Sequence, residues 1–217
     1  MSEIIFLSNV RISFPQLIEP RAQTEGGTKK HSADFILAPN DPAFQQFMQQ
    51  YASLATGKWA EHAQAVMQMI QSDRKLRCFG SGAEKVNKKT FKPYDGYDGN
   101  VYISANREQA PQMIQPNGQP VEASNTMAYQ ALARKIYGGC YVNAAVRPWL
   151  QENKHGRGIR CDLVAVQFSK DGEAFGAGET DVSSMFGAVA TPAAAPAAPA
   201  GMPAAPFPGL PGMPSFL

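Results

Sequence analysis

The alternation of apolar and polar side chains near the start of the chain predicts a β-strand. Over residues 4–14 the even-numbered side chains are expected on one face and the odd-numbered ones on the other, which is the period of a strand. Pro15 has no amide hydrogen to donate to a neighbouring strand, so the strand is expected to end there. The same reasoning predicts further strands over 33–38, 75–79, 101–106, 139–149 and 158–169.

Two helices are expected between the second and third of these strands. Asn40 and Asp41 supply a candidate N-cap, and Pro42 suits the first helical turn. Apolar residues at steps of three and four then continue to Gly57, where the first helix is expected to end, and a second helix follows to about residue 72. These elements predict a mainly β fold with helical insertions (α+β), in which the strands close a small barrel.

The composition changes abruptly at the end of the chain. No charged side chain follows Asp181, and from Ala188 the sequence is a tract of proline, alanine, glycine and methionine. Proline at this density prevents helix and sheet formation, and alanine offers too little apolar area to offset the entropy lost on ordering. The sequence therefore predicts one folded domain over 1–187 and a disordered tail over 188–217.

Basic residues are concentrated in two parts of the chain, although the net charge is only +2. Between residues 74 and 92 lysines and arginines stand against the single acid Glu84, and the stretch over 134–170 is also rich in basic residues. The distribution, more than the sum, indicates where a polyanion would bind.

The connection over residues 80–100 is too long, polar and rich in glycine to be a plain link between strands. It interleaves lysines with aromatic residues just before a strand that carries Tyr102 and Arg107. Basic groups neutralise phosphates and solvent-facing rings stack on unpaired bases, so the pattern is typical of a groove for single-stranded nucleic acid. The candidate contacts are Lys85, Lys88, Lys89, Phe91, Lys92, Tyr94, Tyr97, Tyr102 and Arg107. The alternative is a solvated lysine loop whose rings only fasten it to the core.

A second candidate surface lies on the strand expected over 139–149. Its alternation places Tyr141 and Arg147 together on a polar face, which suits a binding groove. Arg157, from the second basic stretch, joins them as a candidate DNA contact. An ordinary half-exposed strand is the equally weighted alternative.

Catalytic and metal chemistry find little support in the sequence. There is no G-x-x-x-x-G-K-[ST] phosphate loop, no histidine and cysteine pair at zinc spacing, and no histidine to support Asp95 and Asp98 as an acid and base. We therefore expect neither an enzyme nor a cofactor or metal. Cys78, Cys140 and Cys161 are expected as reduced thiols in or near the core.

The ends and apolar runs of the chain indicate a cytosolic protein. The first residues lack the basic and apolar regions of a signal peptide. No apolar run approaches the ~20 residues that a membrane span needs, so no membrane partner is expected.

Four segments carry a resemblance to a known family. The sequences NVRISFPQLIEP (9–20), YGGCYVNAAV (137–146), HGRGI (155–159) and LVAVQFSKDGEAF (163–175) resemble recurring segments of phage single-stranded DNA-binding proteins, a family formerly without a function. The resemblance implies an OB-fold-like five-stranded barrel. It also implies binding to exposed strands without strong sequence preference, during replication or recombination, in the cytoplasm of an infected bacterial host.

Some alternatives stay open at this point. The terminal Phe216 and Leu217 are apolar, so the tail tip is a candidate contact for phage replication or recombination proteins or for the DNA-binding face. A homo-oligomer is compatible with the sequence. The alternative function is a phage structural or assembly protein, in which the tail and the apolar helices serve assembly.

Overall fold

The described part of the chain, residues 2–22, 25–153 and 156–176 of this computed structural model, forms one continuous sheet flanked by helices. The predicted domain boundary at residue 187 and the predicted tail over 188–217 lie outside these residues. The strands are β1 (Ile5–Arg21), β2 (Lys30–Leu37), β3 (Phe79–Ser81), β4 (Val101–Arg107), β5 (Gln112–Ile114), β6 (Pro120–Val121), β7 (Tyr141–Asn153) and β8 (Gly156–Lys170). The helices are α1 (Pro42–Trp59), α2 (Ala63–Ser72) and α3 (Thr126–Ala133).

The long strands of the sheet close into a barrel. The sheet order is β3-β4-β2-β1-β7-β8-β5-β6, in which β4 and β8 stand far apart, yet these two strands pack against each other. The Ile159 N–H of β8 also donates to the Leu76 carbonyl just before β3, at 2.8 Å. β1, β2, β4, β8 and β7 thus follow one another around a five-stranded barrel, and the predicted OB-fold-like architecture is confirmed.

β1 departs from the predicted alternation because it contains two bulges. Asn9 has φ 52°, and the pairing with β7 shifts between Leu7 and Val10, so both flanking apolar residues face the core. A bulge adds one residue and reverses the side-chain order beyond it. The predicted single alternation over 4–14 is therefore wrong.

The predicted end of β1 at Pro15 is also wrong. Phe14 has φ 48°, and the pairing with β2 shifts between Ser13 and Gln16, so the proline falls at a bulge. A proline at a bulge removes no ladder hydrogen bond, and the strand continues to Arg21.

The predicted helices are present and flank the barrel. α1 begins where Asp41 accepts a hydrogen bond from the Ala43 N–H at 2.8 Å, and it packs on β1 and β7. It continues through Gly57 to Trp59, whose ring is buried, so the predicted end was two residues early. The strand predicted over 75–79 was placed too early: β3 begins at Phe79, and residues 73–76 form a turn in which the Leu76 N–H donates to the Asp73 carbonyl. α3, β5 and β6 were not predicted.

All three cysteines are free thiols in the core, as predicted: Cys78, Cys140 and Cys161 are each at most 5% exposed. Burial raises the pKa of the Cys161 and Cys140 thiols, which keeps them protonated. Among the described residues, no helix is long and apolar enough to cross a membrane.

Candidate nucleic-acid interface

The outward faces of β2 and β4 form the floor of a large groove. Ser32 of β2 lies opposite Asn106 of β4, and Asp34 lies opposite Ser104. The cavity above them measures about 870 Å³. Its lining includes Arg21, Gly27, Thr28, Lys30, Ser32, Asp73, Arg74, Lys75, Arg77, Cys78, Lys85, Tyr102, Ser104, Asn106 and Arg160. We call it the basic groove. In OB-folds this face of strands 2 and 3 is where oligonucleotides bind.

The basic groove is strongly positive, since seven of its lining side chains are lysine or arginine and one, Asp73, is an acid. Arg77 and Arg74 are partly neutralised, because both contact Glu84, at 3.0 and 3.7 Å. The side chains of Arg21, Lys30 and Lys75 form no ion pair with any residue in the described ranges. These three remain available to phosphates.

A buried carboxylate ties the long connection after β3 to the groove floor. Asp34 is 8% exposed and accepts hydrogen bonds from Lys85 Nζ at 2.6 Å, from the Tyr97 hydroxyl at 2.7 Å and from the Ser104 hydroxyl. Burial is the main cause that raises the pKa of Tyr97, and the negative charge of Asp34 raises it further. The Tyr97 hydroxyl therefore stays protonated and can donate the hydrogen bond. The network fixes residues 85 and 97 against the sheet.

The rings of Tyr97 and Tyr102 were expected to face solvent, and that expectation is wrong. They are 0% and 4% exposed and pack on Ile36 in a small cluster of their own on the outer face of the sheet. Lys85 Nζ covers the Tyr102 ring at 4.4 Å from its centroid. Tyr94 is half-buried beside this cluster. The connection is therefore packed against the sheet, and the rings of Tyr97 and Tyr102 hold it there.

The middle of the connection projects as a short hairpin, residues 85–94, which we call the finger. The Tyr94 N–H donates to the Lys85 carbonyl and the Asn87 N–H to the Lys92 carbonyl, both at 2.9 Å, and Val86 bridges Pro93. The tip carries the exposed side chains of Lys88, Lys89, Phe91 and Lys92. Four of the predicted contacts thus gather at one exposed tip.

A second cavity, of about 610 Å³, lies beside the finger. It is lined by Ser13, Phe14, Pro15, Asn87, Thr90, Lys92, Pro93, Tyr94, Asp95, Gly138, Phe175 and Gly176. Three of these residues are aromatic, and we call it the aromatic cavity. Lys85 lines the basic groove, and Tyr94, whose N–H donates to the Lys85 carbonyl, lines this cavity, so the base of the finger contributes residues to both.

Comparison with known proteins identifies the family. A family model described as "Enterobacter phage Enc34, ssDNA-binding protein" matches residues 3–195. The chain belongs to this family. Protein p50 of Acyrthosiphon pisum secondary endosymbiont phage 1 is 31% identical over 176 residues, which cover 80% of this chain and 87% of p50.

Solved structures support membership of the Enc34 family. The single-stranded DNA-binding protein of bacteriophage Enc34, in complex with ssDNA, matches with a TM-score of 0.61 and 27% identity, over 80% of this chain and 89% of that one. Gp2.5, a single-stranded DNA-binding protein of bacteriophage T7, matches with a TM-score of 0.50 and 13% identity, over 88% of this chain and 100% of that one. The second likeness shows a shared fold alone.

The other predicted contacts of this Enc34 family member line neither cavity. Arg107 donates to Gln109 at 2.6 Å, and Arg157 contacts Glu152 at 2.8 Å, which lowers the pKa of that carboxyl. The Tyr141 ring lies 4.6 Å from Lys170 Nζ. Arg147 is half-buried on the outer face of β7. The structure therefore does not bring these four to the groove.

Sequence reasoning missed several lining residues. Arg21, Lys30 and Arg160 enter the basic groove from β1, β2 and β8, and Phe14 enters the aromatic cavity from the second bulge of β1. Two sequence signals could have found the basic ones: Arg160 lies in the basic stretch over 134–170, and Arg21 and Lys30 flank the β1–β2 loop, a loop that OB-folds use for binding.

Proposed function

We propose that this chain is a phage single-stranded DNA-binding protein that holds exposed strands along the basic groove. The observation that carries the proposal is the cluster of seven basic side chains that line the groove above β2 and β4. Membership of the Enc34 family, with a relative solved in complex with ssDNA, supports the same assignment. The cations neutralise phosphates, and the release of counterions drives binding.

Binding of this kind has no strong sequence preference. Phosphates are the same in every nucleotide, so contacts from Arg21, Lys30 and Lys75 position the strand without reading it. Aromatic rings stack on any base. The exposed finger tip, with Lys88 and Phe91, extends the positive surface beyond the groove.

The role we infer is protection of exposed strands during phage replication or recombination, in the cytoplasm of the infected host. Coating a strand requires neither a cofactor nor a catalytic group, and we infer a non-enzymatic protein. The apolar tail tip at Phe216 and Leu217, outside the described residues, is proposed as the contact for phage replication or recombination proteins.

Fluorescence anisotropy with a labelled single-stranded oligonucleotide at several salt concentrations tests the proposal. The slope of log affinity against log salt is about −0.7 for each neutralised phosphate, so replacing Arg21, Lys30 and Lys75 together with alanine should reduce its magnitude by about 2. Lys135→Ala, an exposed lysine outside both cavities, is the control and should leave the slope unchanged. Equal slopes for the triple variant and the wild type would contradict binding of the strand along the basic groove. Salt-independent binding, or none, would favour the assembly-protein alternative.

A further inference from the structure

We propose that the aromatic cavity is a nucleobase-stacking site, in which one unstacked base of the bound strand lies against Phe14 while its neighbours contact the finger. The inference rests on the proposed function, because the base belongs to a strand whose phosphates lie in the basic groove. The ligand is a single nucleobase, purine or pyrimidine, since stacking is tolerant of sequence.

The backbone at Phe14 is the first argument. A bulky residue with a positive φ is rare and costs free energy, and such residues cluster at functional sites. Phe14 combines φ 48° with a side chain that is 49% exposed, so burial of the ring compensates for the conformation only in part. The bulge places the ring in the lining of the cavity, where its centroid lies 5.0 Å from that of Tyr94.

Phe91 repeats this combination from another part of the chain. It has φ 55° and is 83% exposed at the finger tip, between two residues, Thr90 and Lys92, that line the same cavity. Two exposed phenylalanines in left-handed conformations therefore lie on the two segments that contribute to this cavity. Scattered exposed apolar residues need no explanation, but this convergence indicates a common ligand with flat apolar faces.

The remaining wall is built to stay in place. Arg11 lies over the Phe175 ring at 4.3 Å, and the Phe175 N–H donates to the Gly138 carbonyl at 2.8 Å. A Cβ added at Gly96 would lie 2.5 Å from this ring, so the close approach requires glycine. A preformed wall spends no entropy on ordering when the base enters.

The rim offers the polar groups that a nucleotide requires. Asn87, Thr90 and Asp95 can hydrogen-bond to base edges. Lys92 is exposed and forms no ion pair with any residue in the described ranges, which leaves it available to the adjoining phosphate. Because the base of the finger contributes residues to both cavities, we expect one strand to reach both.

The experiment compares two probes of equal length, an oligothymidylate and an abasic oligodeoxynucleotide, on the full chain. Phe14→Leu and Tyr94→Leu keep apolar bulk and remove the ring, so each should lower affinity for the oligothymidylate at least about 5-fold and leave affinity for the abasic strand within about 2-fold. Phe6→Leu is the matched control: Phe6 is a 59% exposed phenylalanine of the same strand that lines neither cavity, and its affinity should not change.

Photocrosslinking of wild-type protein to an oligonucleotide containing 5-iodouracil gives a readout that needs no variant. Mass spectrometry should find the crosslink at Phe14, Phe91 or Tyr94. The stacking site alone would be overturned if the wild type binds the oligothymidylate, both leucine variants bind it with unchanged affinity, and the crosslinks lie at other residues. Absence of binding by the wild type to either probe would overturn the proposed function with it.

Discussion

At the scale of single residues, two buried tyrosine hydroxyls differ in their partners and so predict substitutions of opposite sign. Among the described residues Tyr51 Oη has no hydrogen-bond partner, whereas Tyr97 donates to Asp34 at 2.7 Å. An unsatisfied buried polar group costs roughly 1–3 kcal/mol, so Tyr51→Phe should raise the free energy of unfolding by about 1 kcal/mol. Tyr97→Phe should lower it by about 1.5–3 kcal/mol, since it removes a bond to a charged acceptor. Urea denaturation of both variants measures this, and destabilisation by Tyr51→Phe would contradict the assignment.

Tyrosine burial also predicts the response to alkali. Burial raises the pKa of Tyr51 and of Tyr129 from 10.0 to about 12. In the unfolded chain these groups lose their protons near pH 10, while the folded protein keeps them, so the unfolded state binds fewer protons in this interval. Stability therefore keeps its full value below pH 10, where both tyrosines are protonated in either state, and the free energy of unfolding falls as the pH rises from 10 towards 12.

Urea midpoints measured at several pH values on both sides of pH 10 test this decline. Tyr51→Phe removes one of the two groups, so its midpoint should fall less steeply with pH than that of the wild type. Parallel declines would show that Tyr51 keeps its ordinary pKa in the folded protein.

At the scale of the elements, the barrel closes where β8 meets the segment before β3. A Cβ added at Gly158 would lie 2.7 Å from the Leu76 carbonyl oxygen, next to the hydrogen bond from the Ile159 N–H. Gly158→Ala must move backbone, and we expect it to lower the melting temperature by several degrees, or about 2 kcal/mol.

Gly57→Ala is the matched control for that substitution. Gly57 lies inside α1, and apart from the helix's own backbone no atom lies within 4 Å of an added Cβ, so alanine should raise stability by about 0.5–1 kcal/mol. Differential scanning calorimetry of both variants gives the comparison. Equal melting temperatures for Gly158→Ala and the wild type would show that the backbone near Leu76 can move without loss of stability.

Periodicity predicted the elements that turn one face to the core, both the long strands of the barrel and the helices that flank it. It found the long strands and both α1 and α2, because each shows its apolar side chains at a regular step. It could not find the bulges at Asn9 and Phe14, since pairing with β7 and β2 fixes them. Nor could it assemble the basic groove, because Arg21, Arg74 and Arg160 lie on segments that only the closed barrel brings together. The exposure of Tyr97 was misjudged because its partner, Asp34, is distant in sequence.

At the scale of the whole molecule, the sequence after residue 187 predicts a segment that contributes nothing to folding. It carries no charge and is dense in proline and alanine. A protein ending at Gly187 should therefore melt at the same temperature as the full chain, as measured by calorimetry. A truncated protein that unfolds or aggregates would assign the segment a structural role.

The central position of β1 has a consequence for the chain as it leaves the ribosome. β1 pairs with β2 on one side and with β7 on the other, and β7 ends at Asn153, about 130 residues after β1 ends at Arg21. At a synthesis rate of ~5–20 residues per second, one edge of β1 waits on the order of 10 s for its partner. An open strand edge is a template for pairing with other chains. During this interval the nascent protein is therefore exposed to aggregation.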